Sequence, residues 1–118
     1  MDWWPLTEVT LDGEGGVRAR AWATADSPWF DGHFPNQAVL PGVALLAWGR
    51  ELLAFLTREA GQTAALSGLH RVKFKKMIEP DQELELTLKP GNKPGWFLLE
   101  ITREGEAVAS GHLLTNLA

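Results

Sequence analysis

The sequence predicts an α+β domain in which one long central helix is wrapped by a curved antiparallel β-sheet. Three observations predict it. Val43 to Phe55 is apolar on nearly every face at helical length, runs of strand character stand on both sides of it, and no second long helix is evident. At 118 residues and 13.0 kDa the chain is the size of one domain, spanning 1–118. A chain of this size buries about two-thirds of its unfolded surface, enough for one modest core.

The elements follow in order. Val17, Ala19, Ala21 and Ala23 alternate with Arg18, Arg20, Trp22 and Thr24, a period-two pattern that predicts a strand with small inward side chains and something bulky packed on them. From Asp26 to Pro41 the composition turns to Asp, Ser, Pro, Gly, His and Asn among aromatics, which predicts a long ordered loop; loops of that length usually serve a function. Pro41 opens the helix, which runs on through Leu56 to Glu59, and Gly61 supplies a left-handed stop. A helix so apolar all round is expected to be buried. Four strands follow: Leu69 to Lys76, Glu83 to Lys89, Trp96 to Arg103 and Glu106 to Leu114. Pro80-Asp81, the stretch Pro90 to Gly95, and Glu104-Gly105 form the turns between them.

Composition narrows the function classes. Hydrophobic residues make up 45% and charged residues 22%, ordinary for a globular domain and too apolar for a disordered one. The absence of cysteine removes disulfides, thiolate metal sites and a cysteine nucleophile. A net charge of −4 and a pI near 5.3 argue against nucleic acid as a partner. The start, Met1-Asp2-Trp3-Trp4-Pro5, lacks the basic lead and apolar run of a secretion signal. The longest nearly uncharged apolar stretch, Ala38 to Gly49, falls short of the ~18 residues a spanning helix needs, so a cytoplasmic protein without a membrane span is expected.

The loop and helix start read Trp29-Phe30-Asp31-Gly32-His33-Phe34-Pro35-Asn36-Gln37-Ala38-Val39-Leu40-Pro41-Gly42-Val43. Gly-His-Phe-Pro followed at this distance by Pro-Gly-Val resembles the signature of the hot-dog-fold 3-hydroxyacyl-acyl-carrier-protein dehydratases. The stretch from Leu66 to Lys76 and the acidic, leucine-rich run after Pro80-Asp81 resemble that family's later strands, so the likeness extends from about Trp29 to Leu88. The resemblance implies a hot-dog fold, a dimer with an acyl groove at its interface, and no metal or other cofactor.

Dehydrating a 3-hydroxyacyl thioester requires a base for the α-proton, a donor to the departing hydroxyl and stabilisation of an enolate-like oxygen. His33 titrates near neutrality and suits the base or shuttle. The amides of Gly42 and Val43 at the helix start are unpaired donors backed by the helix dipole, so they are candidates for the oxyanion and thioester-binding site. The resemblance assigns the thioester-carbonyl contact to Gly42. It also marks a departure. The family carries Glu or Asp five residues after that glycine, reaching across the dimer, and here the position is Ala47. Loss of a positioned acid costs about 10² to 10⁴ in rate. Glu51, one helical turn on, and Asp31, beside His33, are the nearby carboxylates that stand as substitute acids. Ala38, where the family commonly has Pro, affects loop stiffness only.

His70 and His112 lack a comparable setting and read as structural, and the six tryptophans read first as core and interface mass. Trp22 and Trp48 are also candidates to line an acyl tunnel, and Trp48, directly after the acidic position, is similar to a branch associated with aryl-polyene pigment synthesis. Arg71, Lys73, Lys75 and Lys76 cluster in an acidic protein. They read either as an exposed strand face or as a docking face for an acidic acyl carrier protein.

The expected function is therefore dehydration of fatty-acid or polyene 3-hydroxyacyl thioesters, carried on acyl carrier protein or coenzyme A, by a homodimer or a heterodimer with a related subunit. Two alternatives stay open. One is a catalytically silent carrier-binding or partner subunit, to which Ala47 points. The other is an acyl thioesterase, a chemistry the same fold hosts.

Overall fold

The computed structural model describes residues 5–30 and 40–117. Six strands, β1 (Leu6–Leu11), β2 (Val17–Trp22), β3 (Leu66–Phe74), β4 (Glu83–Pro90), β5 (Trp96–Arg103) and β6 (Glu106–Thr115), form one antiparallel sheet in the order β1-β2-β4-β5-β6-β3. One helix, α1 (Gly42–Glu59), packs on one face of it, and a short 3₁₀ turn, Pro28–Phe30, follows β2. The connection from β2 to β3 contains α1 and passes over the face of the sheet, so β3 lies on the far edge.

The period-two reading of β2 holds residue by residue. Val17, Ala19 and Ala21 are buried, and they stand opposite Leu88, Leu86 and Leu84 of β4, all buried. Small side chains beside large ones leave a shallow trough, and α1 runs over it with Trp48, Leu52 and Leu53 fully enclosed. Gly49 marks a close approach: a Cβ there would sit 2.5 Å from Leu99 Cδ2 of β5. The three loops of the second half form as the turn residues predict. Glu104 and Gly105, both at positive φ, join β5 to β6 as a tight hairpin.

The helix ends are asymmetric. At the C-terminal end Gly61 adopts φ +70°, its amide donates to Arg58 O (3.0 Å) and the Gln62 amide to Thr57 O (2.8 Å), the closed motif a left-handed glycine permits. At the N-terminal end Pro41 occupies the cap in extended geometry (φ −69°, ψ 147°), and among the described residues no side chain caps the first amides.

Three features differ from the sequence reading. A strand precedes the one predicted first: β1 was hidden because a bulge between Thr7 and Thr10, with Glu8 at φ 52°, spaces Leu6 and Val9 three apart and destroys the alternation. The helix is not buried all round. Ala44, Leu45, Trp48, Leu52, Leu53 and Thr57 face the sheet, whereas Val43, Arg50, Glu51, Ala54 and Arg58 are exposed, because one sheet covers one side of a helix. β3 starts earlier than predicted, at Leu66, and a register shift between His70 and Lys73, with Arg71 at φ 50°, breaks its alternation.

Gly49→Val is expected to cost about 1–3 kcal/mol by overpacking against Leu99. Thermal or denaturant unfolding checks it, and Leu99→Ala in the same chain should make the pair cost less than the sum of the two.

Candidate functional site

α1 begins beside the end of β3, and the two together make a mouth. Leu40, just before the helix, is held by its amide to Ile78 O (2.7 Å), while the Lys75 amide on the other side donates to Val108 O (2.8 Å). Between these anchors lies a hollow of about 300 Å³ lined by Leu40, Gly42, Leu45, Phe74, Met77 and Ile78, with Lys75 and Lys76 on its rim. The lining is mainly apolar, and the uncapped helix start supplies its donors. Ala44 already donates to Pro41 O (3.0 Å), which leaves the Gly42 and Val43 amides as the helix-start donors without an intrahelical acceptor. With the dipole behind them, they favour a carbonyl or oxyanion, and Val43 is well exposed (59%).

Gly42 has a steric reason to be glycine. A Cβ at that position would meet the Phe74 ring, whose Cζ, Cε2 and Cε1 would lie 2.6 to 2.9 Å away. The ring stands in front of the helix start in the space a side chain would need, yet it is itself 51% exposed.

The other predicted residues distribute unevenly. His33, Asp31 and Ala38 lie outside the described residues, so the imidazole expected as base and one of the two substitute acids have no described position. Ala47 is half-buried, and it falls between exposed Val43 and exposed Glu51 on the strip of α1 turned from the sheet core. Trp48 is fully enclosed in the core. Trp22 is half exposed and lines a groove with Arg20, Glu83, Glu85 and Arg103. Neither tryptophan lines the hollow at the helix start; Phe74, Met77 and Leu45 do. The signal for these was available in Phe74 and Met77, large apolar residues set among four basic ones.

Arg71, Lys73, Lys75 and Lys76 are all exposed, but they do not form one flat face. Arg71 sits in the bulge, Lys73 pairs in register with Ser110, and Lys75 and Lys76 border the hollow. Lys76 forms an ion pair with Glu106, and that hydrogen-bonded ammonium holds the Glu106 carboxyl below its ordinary value. His70 and His112 face one another across β3 and β6, and Trp96 closes a three-ring cluster with them, with centroids 5.1 to 6.0 Å apart.

A family model described as ApeI-like, for the ApeI dehydratase, matches residues 10–112. The chain belongs to the ApeI-like dehydratase family. Among curated relatives, the 3-hydroxyacyl-acyl-carrier-protein dehydratase FabZ of Polaromonas sp. is 35% identical over 116 residues, 88% of this chain and 79% of that protein. The FabZ of Shewanella woodyi is 33% identical over 100 residues, 77% of this chain; the match spans 66% of that relative, just under two thirds of its length. Among solved structures, a chain of the dehydratase heterocomplex ApeI:P from Xenorhabdus doucetiae superposes with a TM-score of 0.82 at 21% identity, covering 93% of this chain and 95% of that one. The PaaI protein of E. coli gives 0.72 at 19%, covering 91% and 79%. At these identities the likeness is one of fold, and the fold of this ApeI-like chain is the hot-dog fold.

Two outcomes are expected. Gly42→Ala should destabilise the protein, and Phe74→Ala in the same chain should relieve it, giving a coupling of about 0.5–3 kcal/mol in a double-mutant cycle. Glu106→Gln should lower the thermal midpoint slightly near neutral pH. Because the folded carboxyl titrates below the unfolded one, its contribution is fully present above the unfolded value and is lost as pH falls through the folded one, so the difference from wild type should shrink steadily on acidification.

Proposed function

We propose that this chain is a dehydratase of 3-hydroxyacyl thioesters, with the hollow at the start of α1 as the seat of the thioester. The observation that carries the reading is the uncapped helix start opening into an apolar hollow. A thioester carbonyl needs such donors and its acyl chain needs such walls. Membership in the ApeI-like family and the 30–35% identity to FabZ enzymes over most of the chain support it.

In this reading the Gly42 amide, with Val43 beside it, receives the thioester oxygen and stabilises the negative charge that develops when the α-proton leaves. His33 accepts that proton. The bond from C3 to its hydroxyl then breaks, the electron pair of the former C–H bond becomes the C2–C3 double bond, and the hydroxyl departs with a proton as water. In the family reading an acid at the position of Ala47 assists this last step; alanine cannot, so His33 passes the proton on, or Glu51, Asp31 or a partner subunit's acid supplies it.

The exposed apolar residues Leu66, Leu69, Val43 and Met77, together with β3 at the sheet edge, support pairing with a second copy or a related chain. Lys75 and Lys76 on the rim, with Lys73 and Arg71 nearby, support docking of an acidic acyl carrier protein, and a coenzyme A thioester presents phosphates to the same charges. No helix among the described residues is long and apolar enough to cross a membrane.

Ala47 favours a second reading, a silent subunit that holds the carrier or completes a partner's site. An assay with 3-hydroxyacyl carrier protein, following enoyl absorbance and free thiol separately, divides the readings. Enoyl formation lost in His33→Ala is the expected result; thiol release alone indicates a thioesterase, and neither signal indicates the silent subunit. Ala47→Asp should raise the rate, since a restored acid is worth about 10² or more where geometry allows. Reversing Lys73 and Lys75 to Glu should weaken carrier binding at low salt and matter little at high salt.

A further inference from the structure

We propose that the Phe74 ring is a swinging partition between the mouth at the helix start and a closed apolar crevice under α1, and that it sets the length of acyl chain the site admits. This rests on the thioester reading above.

Phe74 and Leu45 border two hollows at once. On one side is the mouth, about 300 Å³, with the Gly42 amide. On the other is a crevice between α1 and the sheet, walled by Leu46, Val72, Leu99 and Leu113. Its free space is about 10 Å³, less than or about what one water needs, so it is shut. The walls are apolar nearly throughout, so an acyl chain entering from the mouth would find there the continuation it requires once the partition moves.

The ring is built to move while its backbone stays. Phe74 pairs in register with Ala109, and the Lys75 and Lys76 amides both donate to Val108 O, so the strand end is pinned. The side chain, by contrast, is half in water and gains only part of the burial a phenyl ring can have. Rotation about χ1 between staggered wells needs no backbone change. Exposed Met77, flexible and polarizable, lines the same mouth and gives the displaced ring an adaptable surface. The missing side chain of Gly42 is what lets the ring close: with a Cβ there, the closed position would clash.

The test uses the whole protein labelled with 4-fluorophenylalanine, which places a fluorine on each of five rings, and saturated butyryl and decanoyl pantetheine thioesters as probes. Phe74→Leu assigns the Phe74 signal. Decanoyl thioester is expected to shift both the Gly42 amide and the Phe74 fluorine, whereas Phe74→Ala, or Phe74→Leu should the alanine variant fold poorly, is expected to raise the affinity for decanoyl relative to butyryl by about tenfold. A Gly42 shift with an unmoved Phe74 fluorine and an unchanged affinity ratio overturns the partition and leaves the thioester reading standing. A folded protein whose Gly42 amide responds to neither probe overturns the thioester reading, and the partition with it.

Discussion

The fit of one side of α1 into the trough left by β2 and β4 is the constraint on which the rest depends. Val17, Ala19 and Ala21 keep that part of the sheet low, Leu84, Leu86 and Leu88 flank them, and Trp48, Leu52 and Leu53 fill the space above. Gly49 lets the helix come down against Leu99. With the helix fixed along its length, its start falls beside the end of β3, and the chain puts a proline there with no capping side chain among the described residues. A helix start left uncapped would ordinarily be satisfied by water or by a cap. Here it opens into an apolar hollow with two lysines at its edge.

This couples stability and function through few residues. Phe74 belongs to the helix side of the sheet by its register with Ala109, yet its ring reaches beyond the core to lie over Gly42. One glycine therefore answers two demands: it presents an amide, and it makes room for the ring. Ala47, by contrast, lies on the side of the helix that the sheet leaves uncovered, and in the proposed reaction it is the position where a carboxylate would complete the chemistry. In that proposed reaction, whatever faces the strip decides whether the proton needed by the leaving hydroxyl comes from this chain or from another.

How much was legible follows from physical periodicity. β2 and β4 were readable because strict alternation survives wherever a regular strand has one wet face, as Leu84, Leu86 and Leu88 against Glu83 and Glu85 show, and β5 and β6 because the Glu104-Gly105 turn marks a hairpin between them. β1 was not, since its bulge at Glu8 sets Leu6 and Val9 out of phase, and the register shift between Leu66 and Gly68 likewise hid where β3 begins. The sidedness of α1 was obscured by apolar Val43, Leu46, Ala47 and Ala54 on or near its open side, residues whose composition says buried while a lone sheet cannot cover them. The place where the helix begins was legible, since Pro41 stands at its cap and Gly42 opens it. The role of Phe74 was not legible, because its contact with Gly42 joins positions 32 residues apart that no local pattern connects.

Whether the helix-start amides receive a thioester carbonyl is measured most directly by a crystal structure of the protein with a non-hydrolysable 3-hydroxyacyl pantetheine amide. The carbonyl oxygen is expected about 3 Å from the Gly42 nitrogen, with the acyl chain directed past Leu45. An analogue bound elsewhere, for instance in the groove beside Trp22 and Arg20, with the Gly42 amide left to water, would contradict it.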